Sequence, residues 1–421
     1  MVLFEANDGV HGFELWTTDG TESGTRLVTD IRPGPTSTGM DGGIRYGDAV
    51  YFLANDTGYV ANLWRSDGTA AGTYRIADLG DAYTPLPMAV HDGALWFISF
   101  DAYGPGKIWR SDGTAAGTAP TVDLGFSIYD AWNLVSAGDK LFFVAFHESA
   151  GYELFVTDGT TAGTHMTRDI DPGYTFSTPE PFKAVGNTLY FLGIEQEHGP
   201  EIWKSDGTEA GTVLVKDIFP GPRYVDPPSV VATIGDVLLI AANDGEHGYE
   251  LWRSDGTEAG TVMLDELLPG AEGSAPRAFS AFGSRLVFSA VNDVTGREPW
   301  ITHGAVLTRQ PVQALRDLAG DVHALGLPAG IELGLVTKLD AAVAALDRPD
   351  GVKVARSYLG AFSRAVESHS PQPISASAAA DLLEFTGEIE ELLGADGAPR
   401  PVRPIAEPAW TKGQVTLGRP R

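Results

Sequence analysis

The 421-residue chain contains no cysteine, which excludes disulfides, thiolate metal sites and a cysteine nucleophile. It also lacks an uninterrupted run of about eighteen apolar residues, so no segment reads as a membrane-spanning helix. Cations are scarce: 29 Lys and Arg stand against 56 Asp and Glu, a formal charge of −27. That balance argues against nucleic acid or an anionic membrane as partner, because phosphate contacts need Lys and Arg. It suits solubility, cation binding or a basic partner. The opening Met1-Val-Leu-Phe-Glu-Ala-Asn-Asp8 has neither the basic start nor the apolar stretch of a signal peptide. It reads as the middle of a repeat, and predicts further sequence upstream.

What the chain does have is one stretch written six times almost unchanged and a seventh time in worn form. The clearest copy is Glu250-Leu-Trp-Arg-Ser-Asp-Gly-Thr-Glu-Ala-Gly-Thr261. Its anchor aromatics are Trp16, Trp64, Trp109, Phe155, Trp203, Trp252 and Trp300, spaced by 45 to 49 residues. A period near fifty with strand-like content predicts a propeller or another closed repeat array. Within 181–217, four short branched or aromatic segments are bounded by Gly, Asn and Asp, the signals of strands and turns. Four antiparallel strands make a propeller blade. The fold class expected is therefore mainly β, a seven-bladed β-propeller of four-stranded antiparallel blades over residues 1–310. Second strands number seven and first strands six, so the first blade should lack its inner strand. That strand would come from upstream or from the C-terminal tail. In the seventh repeat, Thr302-His-Gly304 replaces the Asp-Gly-Thr turn.

In Asp-Gly-Thr, the Asp carboxylate accepts backbone N–H groups just ahead and Gly supplies positive φ. Trp is a flat filler between blades with one N–H to satisfy. Seven copies make these residues framework, since a catalytic set does not need seven.

From about residue 311 the strand pattern gives way to helical spacing. Residues 312–325, 331–346, 352–368 and 376–393 read as four helices of a small all-α bundle over 311–394. In the second, Leu333, Val336, Leu339, Val343 and Leu346 predict the buried face, and Ser375 is placed as an N-cap. Residues 395–421 form a basic, Pro-rich tail, either a linker or an arm lying on the propeller, in which Gln414-Val-Thr-Leu417 reads as a short strand.

The Glu-Leu-Trp-x-Ser-Asp-Gly-Thr-x-Ala-Gly-Thr units, followed by Val-Lys-Asp-Ile-x-Pro-Gly, resemble the ELWxxDGTxxGT, or hyalin-like, repeats of bacterial secreted and surface proteins. The match covers residues 2 to about 310 and implies an extracellular or cell-surface propeller, with no general activity to transfer. The strand order is similar to that of TolB-like propellers, which scaffold protein contacts. The helical part resembles a FIMAH-type bundle through Leu335-Val-Thr-Lys-Leu339, Ala342 to Leu346, Ala361-Phe362, Val366 and Ile374-Ser375. That resemblance implies an accessory, non-catalytic module.

Chemistry would sit in the loops after the second and fourth strands, which open on one face. The former collect Asp8, Asp56, Asp101, Asp244 and Asp293, an oxygen-rich set that would suit Ca²⁺, although Asn-Asp-Gly also simply makes a turn. His11, His198 and His247 share one repeat position and read as loop-packing residues. The fourth-strand loops and their flanks hold Tyr83, Phe126, Tyr129, Trp132, Tyr174, Phe176 and Tyr224, suited either to stacking on sugar rings or to packing within Pro-rich loops. No Ser-His-Asp set, distinctive carboxylate pair or phosphate loop is present, and no catalytic residue is assigned. The expectation is a non-enzymatic extracellular recognition or scaffold module for a polysaccharide or surface protein. The alternatives are a secreted polysaccharide lyase or hydrolase with its site at the propeller axis, and a structural segment of a large adhesin.

Overall fold

A computed structural model of the chain describes residues 1–57, 60–80, 82–83, 88–101, 106–125, 128–173, 179–222, 227–282, 285–293, 296–303, 311–346, 348, 351–394 and 403–404. Among the described residues, seven antiparallel sheets follow one another along the chain, with strands in sequential order except that in the third both 82–83 and 88–91 pair with 94–101. They are the blades of a β-propeller fold and, among the described residues, are followed by four helices. Blade 1 (2–29) consists of β1 (Val2–Asn7), β2 (Phe13–Thr18) and β3 (Arg26–Thr29), and the other edge of β1 has no strand partner among the described residues. Blades 2 to 6 span 41–77, 82–123, 128–166, 180–216 and 229–265. Blade 7 takes three strands from 277–303 and its outer strand from Arg403–Pro404, which pairs with Ile301 and Trp300. A short piece of the C-terminal segment thus does the work that the worn seventh repeat leaves undone.

The chain divides into two compact units, 1–217 with 221–227, and 218–220 with 228–421. In the first, successive blades share cores. Leu15 and Val28 of blade 1 pack with Phe52 and Ala54 of blade 2. Leu63 of blade 2 joins Phe97 of blade 3 and Phe143 of blade 4, while Val144 and Leu154 meet Phe191 and Trp203 of blade 5. The second unit repeats the device with Leu239 and Leu251 against Phe288 and Trp300. Second strands show why their sequences are continuously apolar: they are flanked on both edges and covered on both faces, as in Val237–Asn243, buried except for its last residue.

Each Asp-Gly-Thr stretch closes on itself through one set of bonds, seen in full in blade 5. Asp206 Oδ1 accepts from the Thr208 amide at 2.9 Å and hydroxyl at 2.7 Å. Thr208 Oγ1 accepts the Gly211 amide at 3.0 Å, and Thr212 Oγ1 donates to the Thr208 carbonyl at 2.7 Å. Ser205 Oγ meets Thr212 Oγ1 at 2.7 Å and accepts the Gly207 amide at 3.0 Å. Gly207 has φ of 91°, as the turn requires. Gly211 is glycine for another reason: a Cβ there would collide with the Asp206 carboxylate. The Asp-Thr bonds recur at Asp19, Asp67, Asp112, Asp158 and Asp255. The hydroxyl and backbone bonds hold all six carboxyls below their ordinary value of 3.8. Depressed carboxylates stabilise the fold above pH 3.8 and lose that contribution as pH falls through the folded values. Gly211→Ala should lower stability by about 1–3 kcal/mol, a typical cost of forced overpacking. In an Asp206→Gly background the same substitution should cost far less, because the atoms it strikes are gone. Equal losses in both backgrounds, read from urea midpoints, would disprove this role for Gly211.

The helices are α1 (Pro311–Ala324), α2 (Ala329–Leu346), α3 (Gly351–Ser368) and α4 (Ala376–Gly394). They share a core that includes Leu318, Leu339, Phe362 and Phe385. Ser375 caps α4, its hydroxyl accepting the Ala378 amide at 3.2 Å. Of the expected face of α2, Leu339 is buried and Val336, Val343 and Leu346 pack partly buried against the core, but Leu333 is 68 % exposed, and Leu335, Ala342 and Ala345 are the other buried positions. Helix α2 is apolar nearly all round, so spacing alone did not select a face. The small Ala342 and Ala345 belong to the shared core with α3.

Candidate functional site

The loop-bearing end of a blade is built around the first residue of Glu-Leu-Trp. Glu250 is fully buried. Its carboxylate accepts the amides of Leu267, Leu268 and Ser274 at 3.2, 3.0 and 3.1 Å and the Ser274 hydroxyl at 2.6 Å. One side chain therefore draws the loop after the fourth strand back onto the blade. Glu14 does the same for Ile31, Arg32 and Thr38, and Glu153 accepts the Ile170 amide. In blade 2 the shorter Asn62 accepts the Leu79 amide and donates to Asp56 at 2.6 Å. Burial pushes the Glu14 and Glu250 carboxyls above their ordinary value, against the pull of these bonds.

In blades 1, 5 and 6 the loop after the second strand is organised by a His–carboxylate pair. Asp8 Oδ1 accepts the amides of Val10 and His11, and its Oδ2 meets His11 Nδ1 at 2.7 Å. Asp244 repeats this with Glu246 and His247, again 2.7 Å from the ring. The third pair is Glu195 with His198, whose Nε2 lies 4.0 Å from Asp217. Backbone and imidazole bonds bring the Asp8 carboxyl down to about 2. The partnered carboxylates raise His11 and His247; for His198 burial is the largest single effect and lowers the pKa, but the Glu195 bond and the charges of Glu195, Asp217 and Glu197 together raise it.

These bonds bear on the expected calcium ligands. Asp8 and Asp244 have both carboxylate oxygens engaged within their own turns. Asp56 is held by Asn62 and by Arg75 at 3.3 Å. Asp101 lies in a strand where it pairs with Ala82, its side chain outside the described residues, and Asp293 is exposed at a turn. Among the described residues no three His, Asp or Glu side chains gather to hold a metal ion.

Of the aromatic candidates, Trp132 is packed into its blade, 4.6 Å from the Tyr152 ring and against the core shared by blades 4 and 5. Tyr83 and Tyr129 pair in strands with Phe100 and Phe146, their side chains outside the described residues. Phe126, Tyr174, Phe176 and Tyr224 lie wholly outside them.

A cleft of about 590 Å³ opens between blades 1 and 2, lined by Leu3, Glu5, Met40, Arg45, Asp48 and Phe52 among others. It sits beside the unpaired edge of β1, whose Val2 is 60 % exposed where other second strands are buried. Sequence reading concentrated on acids and aromatics and passed over cations. Blade 7 carries two arginines, Arg277 and Arg297, at positions where no other blade has one. Aligning the worn repeat strand by strand with its neighbours would have exposed them.

No family model matches the chain, and no curated protein does. Solved structures similar to it include one of two prolyl endopeptidases studied for inter-domain dynamics, at 14% identity and TM-score 0.43, over 72% of this chain and 45% of that one. TolB from Acinetobacter baumannii matches at 11% identity and TM-score 0.36, over 60% and 61%. Prolyl oligopeptidase B from Galerina marginata matches at 11% and 0.44, over 72% and 49%. The chain spans from about half to three-fifths of the length of these proteins.

Proposed function

We propose that the protein is a non-enzymatic, extracellular recognition or scaffold module that binds a polysaccharide or a surface protein through the loop-bearing face of the propeller. The observation that carries this reading is the use made of the repeated polar residues. The Asp-Gly-Thr carboxylates and the Ser–Thr hydroxyl pairs are engaged within their own blades, and the buried Glu14 and Glu250 by the loop that follows each blade. Groups engaged in this way in blade after blade build a rigid frame, and no one blade's copy is singled out for acid–base or nucleophilic work. Recognition then falls to whatever differs between blades, and rigid scaffolds commonly carry function on such loops.

Binding of the full chain to a panel of neutral and acidic polysaccharides, with and without Ca²⁺, tests the reading alongside an assay for cleaved product. Saturable binding without product release is the expected result. Turnover that survives repurification would overturn the non-enzymatic reading. Loss of all binding in a chain of unchanged circular dichroism would overturn recognition of polysaccharide.

A further inference from the structure

Blade 7 departs from its siblings at three positions that meet on one face. The strands Arg277–Phe282, Arg285–Asn292 and Gly296–His303 pair with Arg277 opposite Ser289, Ser289 opposite Pro299, and Val291 opposite Arg297. The register identifies the matching residues elsewhere. Asp41, Glu180 and Ser229 open the inner strands where Arg277 opens this one. Glu5, Leu53, Ile98, Val144, Leu192 and Ala241 occupy the slot of Ser289. Phe13, Ala61, Gly106, Tyr152, Pro200 and Tyr249 occupy that of Arg297. None of these residues is cationic, whereas blade 7 has arginine, serine and arginine. A framework explanation covers what the blades share and does not cover this.

The three residues are joined. Arg297 Nη1 donates to the Ala275 carbonyl at 2.9 Å, to the Ser289 carbonyl at 3.3 Å and to Ser289 Oγ at 3.4 Å. Ser289 Oγ donates in turn to the Arg277 carbonyl at 3.3 Å. Ala275, whose carbonyl receives the guanidinium, has φ of 45°, a left-handed conformation that a residue with a Cβ adopts only under local constraint. Every acceptor on Arg297 is therefore a neutral oxygen. Among the described residues neither arginine has a carboxylate partner, in a chain with 56 acidic side chains. Burial and the neighbouring Arg277 charge both lower the Arg297 pKa. Arg277 is exposed and Arg297 half-buried, which leaves two positive groups on one face open to solvent. They flank the loop after the second strand, on the loop-bearing end of the blade.

We infer that Arg277 and Arg297 form an oxyanion subsite, which takes the carboxylate or sulfate group of an acidic polysaccharide. This rests on the polysaccharide reading above and sharpens it to an anionic sugar. A guanidinium presents parallel N–H donors that match the two oxygens of such a group. Arg297 has its Nη1 anchored to Ala275 and Ser289, and its position is preset. Arg277 closes from the inner strand, and the bound anion supplies the counter-charge that the blade itself withholds.

The test uses the full chain and four probes: a galacturonate oligomer, a sulfated galactan oligomer, a neutral glucose oligomer of equal length, and a Glu-rich peptide. Affinities are measured by calorimetry for wild type, Arg277→Ala and Arg277→Gln, and again at raised salt. Arg277 is exposed, so its variants should keep wild-type melting; Arg297→Lys checks the half-buried partner with its charge retained. The expected result is binding of one or both acidic oligomers, weakened about tenfold or more by Arg277→Ala, the scale of one lost charge-assisted bond. The two acidic oligomers separate carboxylate from sulfate. Loss of affinity with Arg297→Lys would support planar, two-point recognition. Equal affinity of wild type and both Arg277 variants for the acidic oligomers overturns the subsite, even where those oligomers bind. Binding of the Glu-rich peptide alone, lost with Arg277→Ala, would overturn the polysaccharide reading and keep the anion subsite. Absence of binding to all three anionic probes would overturn the subsite itself.

Discussion

Glu250→Ala should destabilise the protein by about 3–5 kcal/mol, the range reached when a buried polar network loses its central acceptor. The carboxylate takes three amides and one hydroxyl, and all four donors belong to the single loop of 267–274. Truncation leaves those donors facing one another across a dry gap beside the buried Leu251 and Trp252. Glu250→Gln keeps the shape and one acceptor oxygen but turns the other into a donor that faces N–H groups, so an intermediate loss follows. The pH dependence has a definite sign. Burial raises the Glu250 pKa in the fold. The native state therefore binds more protons than the unfolded chain between the ordinary value of 4.5 and the raised value. The contribution of Glu250 is fully present below 4.5 and declines as pH rises through the folded pKa. The wild-type advantage over Glu250→Gln should narrow over that window, while the Asp-Gly-Thr carboxylates, common to both proteins, cancel. Denaturation midpoints across pH check this. An advantage that widens with rising pH would show that hydrogen bonding, and not burial, governs this carboxyl.

The propeller was legible because its grammar is local. Each residue of the Asp-Gly-Thr turn bonds to near neighbours in sequence, as Asp206 does with Thr208 and Thr208 with Gly211. Repetition then multiplies a weak signal sevenfold. The Glu of Glu-Leu-Trp was legible as a repeat residue but not as a clamp, because its partners lie 17 to 24 residues away in loops of variable sequence. The same distance hid the reason for the glycine before it. Gly248 has φ of 68°, and a Cβ there would stand 2.5 Å from the Gly273 amide nitrogen of the returning loop. Asp8 and Asp244 could be read as acids on one face, yet their oxygens turn back to their own amides and imidazoles, which composition cannot reveal. The outer strand of blade 7 was least accessible, since Arg403–Pro404 reaches Trp300 across four intervening helices in sequence. Arg277 and Arg297 were hidden in another way: they stand out only against the residues that the register aligns with them.

The second large effect concerns the anchor aromatic of blade 5, and it separates bulk from polarity. Trp203 is 2 % exposed and lies beneath Arg168, whose guanidinium carbon is 5.6 Å from the ring. Trp203→Ala should cost about 3–5 kcal/mol, as for other buried aromatics. Trp203→Phe should cost less than about 1.5 kcal/mol, despite the smaller ring. The reason is that the indole N–H of Trp203 is buried with no acceptor among the described residues, and removing an orphaned donor recovers its desolvation penalty. Blade 4 already makes this choice with Phe155, which is 1 % exposed. Trp109 and Trp300 are the contrasting cases, their indoles donating to Ser99 Oγ at 2.7 Å and the Ala290 carbonyl at 3.2 Å. In those blades the same change to Phe forfeits a bond and should cost more than at 203. The residue under the ring is small in every blade: Ala6, Ala54, Ser99, Ala145, Gly193, Ala242 and Ala290. At Gly193 even a methyl group would stand 2.7 Å from Trp203 Cδ1. Gly193→Val should therefore destabilise wild type by about 1–3 kcal/mol or more. Equal costs for Phe and Ala at 203 in urea titrations would mean that the indole N–H contributes a bond, and the account of this position would fail.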